Sequence, residues 1–194
     1  MKIPALTLAF LLTACTVFQP VSDSPVRHLL DSPIVSRTPV SAAPAVAIAR
    51  PSLPPYMDRS ELITRTGDGR LEIHEKDLWS EPLDAGIARV MADNLRRLTG
   101  STNIQPSGNF ITRDYSSLVE IRIERFDPEP DGSLLLECTW KLQPIGGGDA
   151  APKSFRTSVP ITESTDAKAA KLSVRVKAMN EALARLSRAI TRSL

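Results

Sequence analysis

Between Leu118 and Phe126 the chain alternates. Val119, Ile121 and Ile123 are apolar, and Glu120, Arg122 and Glu124 between or after them are charged. That period of two predicts a strand with one buried face. After Asp127-Pro128-Glu129-Pro130-Asp131-Gly132 the same period returns in Leu134, Leu136, Cys138, Trp140 and Leu142. The two strands should therefore pair as an antiparallel hairpin, its buried faces in register. The three carboxylates of the connection, interleaved with prolines, read as a solvated turn. Glu61 to Arg65 and Arg70 to His74 flank Thr66-Gly67-Asp68-Gly69, and Asp-Gly between strand-like runs predicts a second hairpin. Val46-Ala47-Ile48-Ala49 and residues 153–161 are further strand candidates.

Elsewhere the period is helical. Leu83, Ile87, Val90, Met91, Leu95 and Leu98 mark one face. Ser80 is the expected cap, Glu81 favours the positive end of the dipole, Pro82 fits the first turn and Gly100 stops the helix. A second helix is predicted from about Asp166 to Arg192. Its stripe of Leu172, Val176, Met179, Leu183, Leu186 and Ile190 suits packing on the domain's own sheet better than a coiled-coil seam. The fold class expected is α+β: a mainly antiparallel sheet with two principal helices packed on one face.

The amino terminus follows a different rule. Met1-Lys2 starts positive, and Ile3 to Leu12 is apolar but too short to span a bilayer as a helix. Leu12-Thr13-Ala14-Cys15 closes that run and resembles a bacterial lipobox. Residues 1–14 are therefore expected to be a lipoprotein signal peptide. The thiol of Cys15 would carry diacylglycerol and its freed amine a further acyl chain, enough hydrocarbon for durable anchoring. Thr16, where an Asp would favour inner-membrane retention, fits outer-membrane sorting. Residues 15–45, with Pro20, Pro25, Pro33, Pro39 and Pro44 among Ser and Ala, read as a tether. Within it Val26-Arg27-His28-Leu29-Leu30 is a candidate edge strand. Residues 46–194 make up the folded domain.

Composition narrows the chemistry. The chain has 194 residues, 42% hydrophobic and 24% charged, with a formal net charge of +2. These are ordinary values for a folded domain and give no footprint of a nucleic-acid partner. With Cys15 lipidated, Cys138 is alone and reads as a small core residue. His28 and His74 stand in no metal-ligand spacing. No nucleophile–base constellation stands out. The expectation is a non-enzymatic chain with no catalytic residues, no metal and no cofactor.

Leu53-Pro54-Pro55-Tyr56-Met57-Asp58-Arg59-Ser60-Glu61-Leu62-Ile63-Thr64-Arg65, followed by Trp79-Ser80-Glu81-Pro82-Leu83 and the helix with Ile87, Val90, Asn94 and Leu95, resembles the ABC-type transport auxiliary lipoprotein family. The resemblance covers most of residues 26–190. Ser60 stands where a proline is common in that family, and His28 where relatives often carry an aromatic. The resemblance implies a lipid-anchored domain on the periplasmic face of the outer membrane. It would be a non-catalytic accessory of an intermembrane lipid transport system. The implied partners are an MCE-domain protein of an inner-membrane transport complex and further copies of the chain in a homo-oligomeric ring. Leu53, Pro54, Tyr56, Asp58, Arg59, Arg65, Trp79, Glu81, Pro82 and Leu83 are its motif residues, with structural or partner-contact roles. The alternative expectation is an envelope lipoprotein that itself binds a lipid or glycan.

Overall fold

The computed structural model describes residues 24–35, 38, 45–108, 115–148, 150–162 and 168–194. Along the chain these form β1 (Val26–His28), β2 (Val46–Ile48), β3 (Glu61–Arg65), β4 (Leu71–Trp79), α1 (Leu83–Thr99), β5 (Ile104–Pro106), β6 (Ser117–Pro128), β7 (Ser133–Pro144), β8 (Lys153–Pro160) and α2 (Lys168–Thr191). Cys15 and the proposed signal peptide lie outside the described residues.

The α+β class holds. Two sheets form, a five-stranded one in the order β5-β2-β6-β7-β8 and a three-stranded one in the order β1-β4-β3. The β6–β7–β8 meander and the β3–β4 hairpin are antiparallel, as the turn signals require. The remaining pairs are parallel: β2 lies between β5 and β6, and β1 runs beside β4. Parallel neighbours need long crossovers, so no local turn announces them. The fully buried β2 is the example. It was expected as a strand, but its partners come from distant parts of the chain.

A bulge corrects the phase of β6. Ile123 pairs with Cys138 and Arg125 with Glu137, leaving Glu124 as the extra residue. Because side chains alternate, one extra residue moves all later ones to the other face. Phe126, which plain alternation from Ile123 would turn outward, is thereby placed opposite Leu136 and buried in the core.

Both helices contact the five-stranded sheet, α1 over β2 and β5 and α2 over β7 and β8, and they pack on each other. All six residues of the α2 stripe are buried, and so are Leu83, Ile87, Val90, Met91 and Leu95 of α1. Together with Val119, Ile121, Ile123, Leu134, Leu136, Cys138 and Trp140 they form one core cluster. Gly100 ends α1 with φ 75°, its N–H donating to the Arg96 carbonyl, a left-handed conformation that suits glycine. The start of α1 differs from expectation. Pro82 is the N-cap, no side chain caps the helix, and the Ser80 N–H donates to the His28 carbonyl at 2.8 Å. The extended ψ of Pro82, 133°, delays the helix to Leu83, out of reach of a cap at Ser80.

Residues that read as tether belong to the fold. The expected edge strand forms as β1, and the chain beyond it lies across the helices. Arg89 donates to the Leu30 carbonyl at 2.7 Å and Arg97 to the Ile34 carbonyl at 3.0 Å. The Asp31 N–H donates to Asn180 Oδ1 of α2 at 3.0 Å. Leu30 and Ile34 are buried. Residues 26–35 thus form a strap that pairs as β1 with β4 and then crosses the helical layer, and the folded unit starts well before residue 46.

Candidate functional site

The pairing of β2 with β6 does not stop at Ile48. Ser52 forms a parallel bridge to Arg122, its N–H donating to the Ile121 carbonyl and its carbonyl accepting from the Ile123 N–H. This guides Leu53 onward along β6. Pro54 and Pro55 then restrict the backbone to a single 3-10 turn, Pro55–Met57, closed by the Met57 N–H donating to the Pro54 carbonyl at 2.9 Å. The turn buries Met57 and aims Tyr56 at the end of β6. There the Tyr56 hydroxyl donates to Asp127 Oδ2 at 2.7 Å.

Asp127 is not the solvated turn residue expected from its sequence. It is 3% exposed, whereas Asp131 is exposed and accepts from the Ser133 N–H and hydroxyl. Burial, then the bond to Asp127, raises the Tyr56 phenol well above its ordinary value. The phenol is consequently a fixed donor in the neutral range, not an acid–base group.

Trp79 closes the other side of this junction. Its N–H donates to the Ser60 carbonyl at 2.7 Å, which ties the end of β4 to the motif segment. Glu81 lies over the first turn of α1, gripped by Arg89 through Nε at 3.0 Å and a terminal nitrogen at 2.6 Å. That same arginine holds the Leu30 carbonyl, so one guanidinium links the strap, the motif and α1. Leu83 is buried beneath. His28, also buried, pairs with Asp77 Oδ1 at 2.8 Å through Nε2.

Tyr56, Met57, Leu62, Trp79, Leu83 and Phe126 line an apolar cleft with Asp127, and α2 adds Arg175 and Met179. Arg175 bonds to the Thr64 hydroxyl, which is 2.8 Å from His74 Nε2. Burial lowers the Arg175 guanidinium pKa. The cleft holds about 40 Å³, room for a few waters and far below a small-molecule site. On the far side of Trp79 a shallow groove runs between Asp58-Arg59-Ser60 and Ser80-Glu81-Pro82. Asp58 and Arg59 are exposed, Arg59 facing Glu61 at 3.4 Å.

The structure therefore brings Leu53, Pro54, Tyr56, Asp58, Arg59, Trp79, Glu81, Pro82 and Leu83 to one end of the domain. Arg65 is exposed beside the β3–β4 turn with Arg125, Glu129 and Pro130, its charge within range of the Tyr56 phenol. Sequence reasoning missed Asp127, Phe126, Arg175 and Met179. The first two were hidden by the bulge and the turn-like sequence around Asp127, and the last two by their distance along the chain. Cys138 is buried, and burial pushes its thiol up to about 12. Among the described residues no group of three His, Cys, Asp or Glu side chains could hold a metal ion, and no helix is long and apolar enough to cross a membrane.

With this geometry, the comparison with known proteins gives a class. The family described as ABC-type transport auxiliary lipoprotein component matches residues 28–191. The chain belongs to that family, and so to a class of lipoproteins associated with the cell envelope and with transport. The fold is similar to that of protein XCC0632 from Xanthomonas campestris, at a TM-score of 0.62 and 18% identity, covering 85% of this chain and 92% of that one. It is also similar to a crystal structure of an uncharacterized protein, at a TM-score of 0.66 and 19% identity, covering 88% and 98%. No curated protein matches the sequence.

Proposed function

We propose that this protein is a lipid-anchored, non-catalytic accessory that docks an MCE-domain partner of an intermembrane lipid transport system at the periplasmic face of the outer membrane. The observation that carries the reading is the family match over residues 28–191, directly downstream of Leu12-Thr13-Ala14-Cys15. The geometry supports a docking role over a chemical one. The motif residues converge on a junction whose phenol is a fixed donor and whose cleft admits only a few waters. Asp58 and Arg59 are exposed at its rim, free to meet a partner. Cys15 supplies the anchor, and further copies of the chain assemble with it in a ring.

Photo-crosslinking from Arg59 in the full-length lipoprotein, expressed from its native locus, tests the docking role. A crosslink to an MCE-domain protein is expected. Absence of any such product, together with an intact outer-membrane barrier in a deletion strain, sinks the proposal. The alternative, capture of a lipid or glycan by the domain itself, predicts a stoichiometric ligand in native mass spectrometry.

A further inference from the structure

We infer that the strap spanning residues 26–35 is a second, shallow membrane contact that lays the helical layer of the domain against the bilayer surface. The inference rests on the reading of Cys15 as an acylated anchor.

The first observation is a length. The strap is bonded to α1 and α2 from Leu30 to Ile34, and its strand β1 starts at Val26. The sequence between the expected anchor and the first bonded strand is therefore Thr16 to Pro25, not Thr16 to Ala45. A tether reaching residue 45 would extend about 100 Å, whereas Cys15 to Val26 extends at most about 40 Å. A compact domain of about 150 residues has a radius of gyration of about 15 Å. The span is thus about as long as the domain is wide, and it keeps the strap within about 40 Å of the membrane. A surface held so close meets the bilayer at a high effective concentration, and contacts too weak to bind alone become occupied.

The second observation is what the strap shows to solvent. Val26 is 46% exposed, Leu29 50% and Val35 87%, three of the seven large hydrophobic residues most exposed among those described. Leu30 and Ile34 already satisfy the helices beneath, so these three are surplus to the fold. Arg27 and Asp31 cancel, and the segment carries no net charge. Apolar side chains in the headgroup region, not charge attraction, have to carry the contact. The strap is one hydrogen bond from the motif junction, through Ser80 N–H to the His28 carbonyl. Contact through the strap consequently keeps the Trp79 end of the domain near the membrane surface.

The test uses the full-length, acylated protein in vesicles of phosphatidylethanolamine and phosphatidylglycerol. Nitroxides are attached at Leu29→Cys, Val35→Cys and, on the opposite face of the five-stranded sheet, Arg156→Cys. Cys138 is buried with a raised thiol pKa and stays unlabelled. At positions 29 and 35 collisions with oxygen should exceed those with a water-soluble nickel complex several-fold, with the order reversed at 156, and salt should change neither. Water-like collision ratios at 29 and 35, in protein whose mass shows its acyl chains, overturn the strap contact and leave the anchor standing. A mass without acyl chains overturns the anchor reading and the strap contact with it.

Discussion

The two ends of this domain are held together by different means. The helix–sheet body is an apolar interior in which Leu134, Leu136, Leu183, Leu186 and Ile190 are essentially inaccessible. The motif junction is a set of specific polar links around one indole: Tyr56 to Asp127, Arg89 to Glu81 and Leu30, Ser60 to Trp79. The body is stabilised by area, which tolerates exchange among apolar residues of similar size. The junction depends on particular donors and acceptors, where loss of one partner strands another. The motif residues lie mostly in the junction. The molecule carries a reporter for each region, Trp140 in the body and Trp79 in the junction.

Leu183→Ala should have the largest effect. It removes a fully buried side chain from α2 and should cost about 2–5 kcal/mol, read as a lower urea midpoint with both tryptophans moving together. Tyr56→Phe should cost less, about 1–3 kcal/mol, because it takes the hydroxyl donor from the buried Asp127 carboxylate and leaves it only the ion pair with Arg125 at 3.8 Å. Its effect should fall first on Trp79 fluorescence, measured with Trp140→Phe as background. Coincidence of the Trp79 transition with global unfolding, read by far-UV circular dichroism in the same variant, would erase the distinction between the regions. The pH dependence sharpens it. The folded Tyr56 phenol is raised above its ordinary value of 10.0, so its contribution is fully present below pH 10 and is lost as pH climbs toward the folded value. The stability gap between wild type and Tyr56→Phe should shrink only in that alkaline range; a constant gap would refute the role given to the phenol.

Gly100→Ala should cost about 1 kcal/mol through its left-handed backbone at the end of α1, an effect confined to the body and visible in thermal melts. Arg59→Ala should be the mildest, within about 0.5 kcal/mol, since an exposed ion pair contributes little. Under the proposed docking role, co-purification with an MCE-domain protein should fall while the melt is unchanged.

Much of the body was legible. Apolar alternation marked β6 and β7, Asp-Gly marked the β3–β4 turn, and the two helical stripes marked α1 and α2, because each signal repeats within a few residues. The junction was legible only as a list. Tyr56, Trp79 and Glu81 stood out by resemblance, yet nothing near Tyr56 points to Asp127, which lies far along the chain amid turn-forming prolines. β5 carried no signal, being three residues long with a proline at its end, and β4 ran past the point where its alternation faded. The amino-terminal segment misled in the opposite direction, since proline-rich composition hid the anchoring of Leu30 and Ile34.

The sequence by itself determined the α+β class, the two helical faces, the two hairpins and the position of the expected anchor at Cys15. Each rests on local periodicity or on a contiguous motif, and both are properties of neighbouring residues. Only the tertiary structure decided the parallel partners of β2, the shift of phase at Glu124, the burial of Asp127 and the bonding of Leu30 and Ile34 to the helices. Those depend on which distant segments share a face and a hydrogen bond, and the free energy that selects them is that of the whole packed domain.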